Sequence, residues 1–415
     1  MRIAVVGSGI AGMASAWLLA REHEVVLFEA DSRLGGHTDS HDIEINGKPL
    51  VVDSGFIVFN EKHYPLLTRL FGEIGVASQS TTMSFSVHDE ASGIQYNASN
   101  LRGLFCQPTN LFSPQFLGML ADLRRFYREA PTLLEHPEPG PSLGEYLAAN
   151  GYGGAFRDLH LVPMASALWS SPTARILDFP ISHLVRFMAN HSMMQLSGRP
   201  AWRVVQGGSR SYIDALQRGW NVQVRLNSPV RSVRAQQQPT TISVTTDVGV
   251  ESFEHVVLAC HADDALRLLV DPTDAQRDVL SAFEFQDNDT ILHTDARLLP
   301  PNRGAWAAWN VHVPSQPGDD CTVSYWMNAL QSLRTRDPLV VSLNRRADID
   351  PSRILRERRY RHPVQSAASV QAQSRKAEIQ GIGGISFAGA WWGHGFHEDG
   401  LRSAVDVAAQ LGVSW

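Results

Sequence analysis

The chain has 415 residues, three cysteines and a formal net charge of −6, so it is long enough for two domains and lacks the basic character of nucleic-acid-binding proteins. The cysteines are odd in number, scattered and without a CxxC pair, which indicates free thiols in a reducing compartment. No apolar run approaches the roughly 20 residues that cross a bilayer, and the first predicted strand leaves no room for a signal peptide, so we expect a cytoplasmic protein.

A strand, a glycine-rich turn and a helix open the chain. Residues 3–6 form an unbroken apolar run, which is typical of a parallel strand buried on both faces. In the following GSGIAG, Gly7 allows a tight turn, Gly9 lets a diphosphate approach the backbone, and Gly12 lets the helix lie close to the strand. A second buried strand ends in Glu29, about 20 residues after the first glycine, where a carboxylate normally holds a ribose hydroxyl. Together these features predict a dinucleotide-binding site.

Two more segments with predicted tight turns follow the second strand. The adjacent glycines of RLGGHT, at 33–38, let the chain pass close to a diphosphate. Asn46-Gly47 predicts a hairpin, and its return strand continues into VDSGFIVFN at 52–60.

In this order, these motifs resemble those of the FAD-containing amine oxidase and phytoene desaturase superfamily. More narrowly, the chain resembles bacterial NAD/FAD-binding oxidoreductases that are often encoded beside cyclopropane-fatty-acid synthases. The resemblance extends along nearly the whole chain and implies FAD as the cofactor. Besides the segments above, the matching stretches are WSSP (169–172), QGGSRSYIDAL (206–216), VVLACHADDALRLL (256–269) and GFHEDGLRS (395–403).

The resemblance also implies which residues bind FAD. Residues 35–37 correspond to positions along the diphosphate and ribityl chain, and His37 stands where amine oxidases usually place arginine. Residues 55–57 correspond to positions beside the isoalloxazine, and the backbone of Val230 to a contact with the adenine. The full predicted set is Gly7, Ser8, Gly9, Ile10, Ala11, Gly12, Glu29, Ala30, Arg33, Gly35, Gly36, His37, Gly55, Phe56, Ile57, Val230, Ala259, Gly389, Ala390, Gly400, Leu401 and Ser403.

Between residues 63 and 199 the Rossmann pattern gives way to amphipathic helices. Residues 65–75 predict one helix, with Gly75 as its stop. Residues 111–127 are apolar on one side and carry two arginines on the other. Such a helix can rest on a membrane surface or pack in a core, so peripheral contact with a membrane stays open. We interpret this region as the first part of a substrate domain.

The pattern of the remaining chain predicts an interleaved α/β protein. A Rossmann-type FAD-binding domain of the two-dinucleotide-binding-fold family takes residues 1–62, 200–262 and 384–415. An α+β substrate domain with an antiparallel sheet takes residues 63–199 and 263–383. Its later strands are predicted near 290–294, 305–312, 321–327 and 339–343. These strands carry aromatic side chains that can line an apolar tunnel or pack in a core, namely Trp306, Trp309, Tyr325 and Trp326.

The loop before the last helix holds a dense cluster of titratable groups. By resemblance, the helix predicted from Gly400 onward aims its N-terminus at the pyrimidine edge of the flavin, where negative charge develops. His397 and Glu398 are the candidate catalytic residues, because a histidine there can take a proton as hydride leaves the substrate. The alternative is that Glu398 or Asp399 caps the helix and His397 shapes the loop. No His, Cys or carboxylate set matches a metal motif, so no metal is expected.

The sequence therefore predicts an FAD-dependent oxidoreductase that removes hydride from an apolar small-molecule or lipid substrate, with the flavin supplying the chemistry. The association with cyclopropane synthases points to an acyl chain, free or in a phospholipid. A flavin amine oxidase is one alternative, but amine oxidases commonly place a lysine near the flavin, and no lysine lies between Lys62 and Lys376. A redox-neutral, flavin-dependent lipid isomerase and a non-catalytic flavoprotein also stay open.

Overall fold

The computed structural model of the protein describes residues 1–135, 139–195, 198–237, 240–315 and 321–415. In chain order its strands are β1 (Arg2–Val6), β2 (Glu24–Phe28), β3 (Ser40–Ile45), β4 (Lys48–Asp53), β5 (Val58–Phe59), β6 (Ser78–Thr81), β7 (Phe85–Asp89), β8 (Gln95–Asn97), β9 (Trp202–Val205), β10 (Val222–Arg225), β11 (Val230–Gln237), β12 (Thr240–Thr246), β13 (Gly249–Phe253), β14 (His255–Leu258), β15 (Glu284–His293), β16 (Trp309–Val313), β17 (Val323–Trp326), β18 (Val340–Leu343), β19 (Ile354–Val364) and β20 (Ile385–Phe387).

The helices are numbered in the same way, and short 3₁₀ turns connect several of them. They are α1 (Ile10–Leu19), α2 (Pro65–Ile74), α3 (Leu101–Leu104), α4 (Pro114–Glu129), α5 (Leu143–Ala149), α6 (Gly154–Phe156), α7 (Val162–Trp169), α8 (Thr173–Ile176), α9 (Ile181–Asn190), α10 (Arg210–Gln217), α11 (Ala262–Leu268), α12 (Asp274–Ser281), α13 (Met327–Leu330), α14 (Ala367–Ser374) and α15 (His397–Gln410).

A parallel sheet forms one layer, with its strands in the order β10-β2-β1-β14-β20. Its pairings are all parallel, and all but that of β1 with β2 join strands that are far apart in the chain. β1 and β14 are almost wholly buried because other elements cover both faces, which explains their apolar runs. α1 lies so close to β1 that a Cβ on Gly12 would stand 1.9 Å from the Gly7 carbonyl oxygen. The predicted α/β fold is confirmed.

The two faces of this sheet are covered by different parts of the chain. α1, α2, α10 and α15 pack on one face, and the three-stranded sheet β11-β12-β13 packs on the other together with α11, α12 and α14. Residues of 263–283 and 367–383, which the sequence assigns to the substrate domain, share this second core with β14 and β20.

A seven-stranded sheet forms the second layer, in the order β19-β15-β18-β17-β16-β7-β8. Its pairings are antiparallel except for β16 with β7, which confirms the predicted antiparallel sheet. The strands predicted between 290 and 343 are β15 to β18. β19 was not predicted, because its sequence ILRERRYRHPV carries charges at successive positions, as an edge strand can.

Helices α4 to α9 pack against this sheet around a cluster of buried phenylalanines at 116, 126, 156, 179 and 187. The helix predicted over 65–75 is confirmed as α2, and its C-cap Gly75 has a left-handed φ of 69°. The helix predicted from residue 111 begins at Pro114, because the Ser113 side chain caps it by accepting from Phe116 N at 3.2 Å. Within the described ranges, no helix is long and apolar enough to cross a membrane.

Candidate active site

A cavity of about 1160 Å³ lies between the two layers and opens onto the carboxyl ends of the parallel strands. At one end it is lined by the glycine-rich segments after β1 and β2. From there it continues into a space that we call the apolar chamber, lined by Phe85, Tyr96, Leu104, Met119, Leu120, Leu123, Met164, Leu168, Phe187, Trp309 and Tyr325. Open α/β sheets bind their ligands at the carboxyl ends of the strands, so this cavity is the candidate active site.

The glycine-rich segments form a cradle that a dinucleotide diphosphate fits. Gly7 has a φ of +97°, and Gly9 stands at the N-cap of α1, where a Cβ would meet no protein atom within 4 Å. A Cβ on Gly36 would lie 3.0 Å from the Gly9 Cα, so the two segments lie against each other. The space beside Gly9 therefore faces the N-terminus of a helix and has no side chain in it, which suits a diphosphate.

Glu29 lies at the end of β2 and lines the same end of the cavity. Its Oε2 accepts hydrogen bonds from Ser8 N at 2.9 Å and from Ser8 Oγ at 2.5 Å, and its Oε1 accepts from Asp31 N at 2.8 Å. These bonds hold the carboxylate beside the first glycine-rich turn, which is the place expected for the acceptor of a ribose hydroxyl.

Most of the predicted FAD-binding residues line the cavity, namely Gly7, Ser8, Gly9, Ile10, Ala11, Glu29, Arg33, Gly35, Gly36, His37, Gly55, Phe56, Ile57, Ala259, Gly389 and Ala390. Six do not, namely Gly12, Ala30, Val230, Gly400, Leu401 and Ser403. Three of these support the lining from behind. Ser403 Oγ accepts from Gly389 N at 2.9 Å, Leu401 is fully buried in the core that includes α1, and a Cβ on Gly400 would lie 2.8 Å from Ile10 Cγ2.

The last helix begins earlier than predicted. α15 starts at His397 with Phe396 as its N-cap, so Gly400 is one turn inside the helix and does not form its N-terminus. The Asp399 carboxylate accepts from His394 N and Phe396 N, both at 3.1 Å, and closes the preceding loop onto the helix. Burial raises the pKa of Asp399 to about 6. The sequence did not reveal this start because the loop and the first turn share the same glycine- and charge-rich composition.

His397 lines the cavity beside the predicted cofactor position. Its ring stacks on Phe56 with the centroids 3.7 Å apart, and its Nε2 lies 3.1 Å from Thr38 Oγ1 and 3.2 Å from the Tyr212 hydroxyl. Burial lowers its pKa to about 3, so the imidazole is neutral at physiological pH. A pH dependence near neutrality is therefore not expected from His397, and its catalytic role stays a prediction.

Glu398 has a structural role, whereas the sequence predicted a catalytic role. Its two carboxylate oxygens accept from Leu66 N and Leu67 N, each at 3.0 Å, and so cap the N-terminus of α2. The side chain is buried and does not line the cavity. Glu398 thus caps a helix, but that helix is α2 and not the one that follows Glu398 in the chain.

Three histidines stand together at the cofactor end of the cavity. The His37 ring lies 5.2 Å from that of His362 and 6.0 Å from that of His261, measured between centroids. Burial lowers the pKa of His37 to about 4 and the pKa values of the other two to about 3. The His37 Nε2 is buried without a hydrogen-bond partner among the described residues. A neutral imidazole here can donate one hydrogen bond to a cofactor but does not bring the charge of an arginine.

Half of the predicted aromatic tunnel belongs to the cavity. Trp309 and Tyr325 line it, whereas Trp306 and Trp326 do not. The latter two pack edge to face, with centroids 5.3 Å apart. The other wall of the apolar chamber comes from α4, α7 and α9, which the sequence placed in the substrate domain without assigning them lining residues. Their inward faces have the ordinary helical spacing of core residues, so no sequence signal separated lining from packing.

One group of side chains at the cofactor end consists of residue types that can bind a metal ion. Ligand atoms of His261, Asp263 and Asp264 lie within 4.8 Å of one another. Both carboxylates also form ion pairs with Arg361, which accounts for their placement without a cation.

Comparison with known proteins identifies similar sequences and folds. Residues 10–288 match the model of the family described as flavin containing amine oxidoreductase. A putrescine oxidase bound to putrescine is 14% identical, covers 99% of each chain and has a TM-score of 0.69. A CLA-producing fatty acid isomerase from P. acnes is 14% identical over 99% of this chain and 98% of its own, with a TM-score of 0.66. Cyclohexylamine oxidase from Brevibacterium oxydans IH-35A is 15% identical over 99% of each chain, with a TM-score of 0.66. At these identities the likeness establishes the fold.

Proposed function

Since this chain belongs to the flavin containing amine oxidoreductase family, we propose that it oxidises an apolar acyl chain, in a fatty acid or a phospholipid, by removal of hydride. The protein is a flavin-dependent oxidoreductase with FAD as its cofactor, and FAD supplies a two-electron acceptor when bound. The observation that carries the proposal is the continuous cavity, which leads from the glycine cradle into the apolar chamber.

The apolar chamber would bind the acyl chain of the substrate and hold it in place. Met119, Leu123 and Met164 are among the side chains that would cover an extended acyl chain and keep water from it. Formation of a double bond removes a hydride from one carbon and a proton from its neighbour, and the remaining electron pair becomes the new bond. His397 lines the cavity and is the candidate acceptor of that proton. Because burial lowers its pKa to about 3, the imidazole would pass the proton on and not keep it.

The charges of the cavity disfavour an amine. The carboxylates that line it, Glu29, Asp31 and Asp264, belong to its cofactor end, so the described lining of the apolar chamber has no carboxylate to pair with an ammonium group. The lysines also lie elsewhere. Lys62 Nζ donates to Ser192 Oγ at 3.1 Å, and Lys376 pairs with Asp406 at 2.7 Å.

Anaerobic addition of a fatty acid or a phospholipid should bleach the visible absorption band of the bound flavin. Putrescine and cyclohexylamine should leave the band unchanged, because neither a lysine nor a carboxylate lies among the described residues of the apolar chamber. Spectra recorded under nitrogen, followed by mass spectrometry of the products, would measure both effects. Fast bleaching by an amine would contradict the proposal. A shifted double bond without net bleaching would favour a lipid isomerase instead.

A membrane surface is the proposed source of such a substrate. Exposed apolar side chains occur on α3, in the 3₁₀ turn Pro108–Phe112 and at the start of α4. Their exposed fractions are 73% for Leu101, 49% for Leu111, 85% for Phe112 and 43% for Leu117. Residues 91–121 include one arginine and no acidic residue. The opposite side of the same helices lines the apolar chamber. An exposed apolar face without negative charge fits a lipid surface and would place the cavity beside it.

The Phe112→Glu variant should bind vesicles of phosphatidylglycerol about tenfold more weakly than the wild type or worse, because burial of a phenylalanine contributes roughly 1.5–3 kcal/mol. Co-sedimentation at a series of lipid concentrations measures the change. Val248→Glu is the matched control, since Val248 is 88% exposed in the turn between β12 and β13, away from this face. Equal partitioning of the two variants would rule out this surface.

A further inference from the structure

Arg199 provides a positive charge at the rim of the cavity, where it is also exposed to solvent. It lines the cavity, and its guanidinium donates to the Gln195 carbonyl at 2.8 Å and to the Met193 carbonyl at 3.2 Å. Tyr127, which lies on α4, lines the cavity as well. Burial raises the pKa of its hydroxyl and the nearby Arg199 guanidinium lowers it, so the guanidinium and the hydroxyl lie near each other.

His160 adds a buried nitrogen without a partner. The Tyr96 hydroxyl donates to the Leu159 carbonyl at 2.8 Å, so the His160 Nδ1, which lies 2.8 Å from the same hydroxyl, donates to it. The Nε2 of the neutral ring is then an acceptor, and it has no hydrogen-bond partner among the described residues. The residue is 3% exposed and lines the cavity. An acceptor nitrogen does not bind the oxygen of an anion, so His160 is a polar neighbour of this part of the wall and not a donor to a headgroup.

The charge distribution indicates which kind of ligand group would fit this part of the wall. Arg199 is the charged side chain that the described structure places on the substrate side of the cavity. The other charged residues of the lining belong to the cofactor end and are Glu29, Asp31, Arg33, Asp264, Arg358, Arg359 and Arg361. Many of these are also neutralised in pairs, such as Arg358 with Asp39. A planar guanidinium beside a hydroxyl is suited to an oxyanion, which it can hold through charge-assisted hydrogen bonds.

We propose that Arg199 and Tyr127 form a recognition site for an anionic headgroup, a carboxylate or a phosphate, on a substrate whose apolar chain lies in the apolar chamber. The proposed function is assumed for the oxidation of the acyl chain. Headgroup recognition is a binding property, so it can be measured without turnover. It gives a role to the exposed arginine that lies where the cavity lining meets solvent.

The test compares ligands that share one alkyl chain and differ in the headgroup. Dodecanoate, dodecyl phosphate, dodecanol and dodecylamine compete with a fluorescent fatty acid for the FAD-loaded protein, and displacement gives the dissociation constants. The wild type should bind the better of the two anions about tenfold or more tightly than dodecanol. Arg199→Gln should remove this preference and leave the affinity for dodecanol unchanged. Arg199→Lys should restore part of it, because lysine keeps the charge but not the planar fork.

Arg128→Gln is the matched control, since Arg128 is an exposed arginine on α4, next to Tyr127, and does not line the cavity. It should bind all four ligands as the wild type does. An Arg199→Gln protein that keeps the preference for an anion would overturn the proposal, as would a wild type that binds dodecanol equally well. Tighter binding of dodecanoate or of dodecyl phosphate identifies which headgroup the site recognises. If the preference depends on Arg199 and yet no acyl compound reduces the flavin, the site stands and the proposed function fails.

Discussion

The Gly9→Val variant is expected to lose FAD and to keep its fold. Gly9 has a φ of −62° and a ψ of 178°, which other residues adopt readily, and a Cβ there would meet no protein atom within 4 Å. The side chain would instead project into the cavity at the N-terminus of α1, where the diphosphate is expected. Valine should weaken FAD binding by about 10²-fold or more, since each tenfold loss corresponds to about 1.4 kcal/mol.

The FAD content of the purified protein, measured after release by denaturation, checks this expectation. Gly72→Val is the matched control, because a Cβ on Gly72 also meets no atom within 4 Å, but this residue lies in α2 and does not line the cavity. It should purify with the FAD content of the wild type. Gly9→Val should unfold at the same temperature as the FAD-free wild type. A yellow Gly9→Val protein with a full complement of FAD would show that the diphosphate lies elsewhere.

Acidification should strongly destabilise the FAD-free protein. Burial lowers the pKa of His37 to about 4 and the pKa values of His261 and His362 to about 3, all from an ordinary value of 6.5. Between pH 6.5 and these values the unfolded chain binds protons that the folded protein excludes, so the free energy of unfolding falls as the pH falls. Above pH 6.5 these groups are neutral in both states and contribute no pH dependence. Each such histidine contributes a slope of about 1.4 kcal/mol per pH unit.

The His261→Asn variant tests the contribution of one of these histidines to the pH dependence of stability. The His261 ring stacks on Phe285 at 4.3 Å, so its loss should lower stability by a similar amount at every pH. The protonation effect is separate, because it changes the slope of stability against pH. Urea unfolding at a series of pH values between 6.5 and 4 should give a slope that is smaller than that of the wild type by about 1.4 kcal/mol per pH unit. Parallel profiles for the two proteins would mean that His261 is not held neutral by the fold.

Some of the architecture depends on short stretches of sequence, and the sequence predicts these parts well. The turn after β1 needs glycine at position 7 for its positive φ and at position 12 for close packing. The spacing of these glycines therefore predicts the backbone conformation of the turn. Gly75 ends α2 for the same kind of reason. The α/β fold, the flavin-binding family and the antiparallel sheet were predictable because local backbone geometry and buried strands leave periodic patterns.

Tertiary structure alone decided the roles of individual side chains in the site. Glu398 caps α2, which begins more than 300 residues earlier in the chain, and no local pattern records that contact. Arg199 and His160 line one wall only because α4, the turn at 157–161 and the segment before β9 pack together. A charged or polar residue has the same local signature whether it meets solvent, a helix end or a cavity. The sequence by itself therefore determined the fold and the cofactor, whereas the packing of distant segments decided which side chains face the substrate.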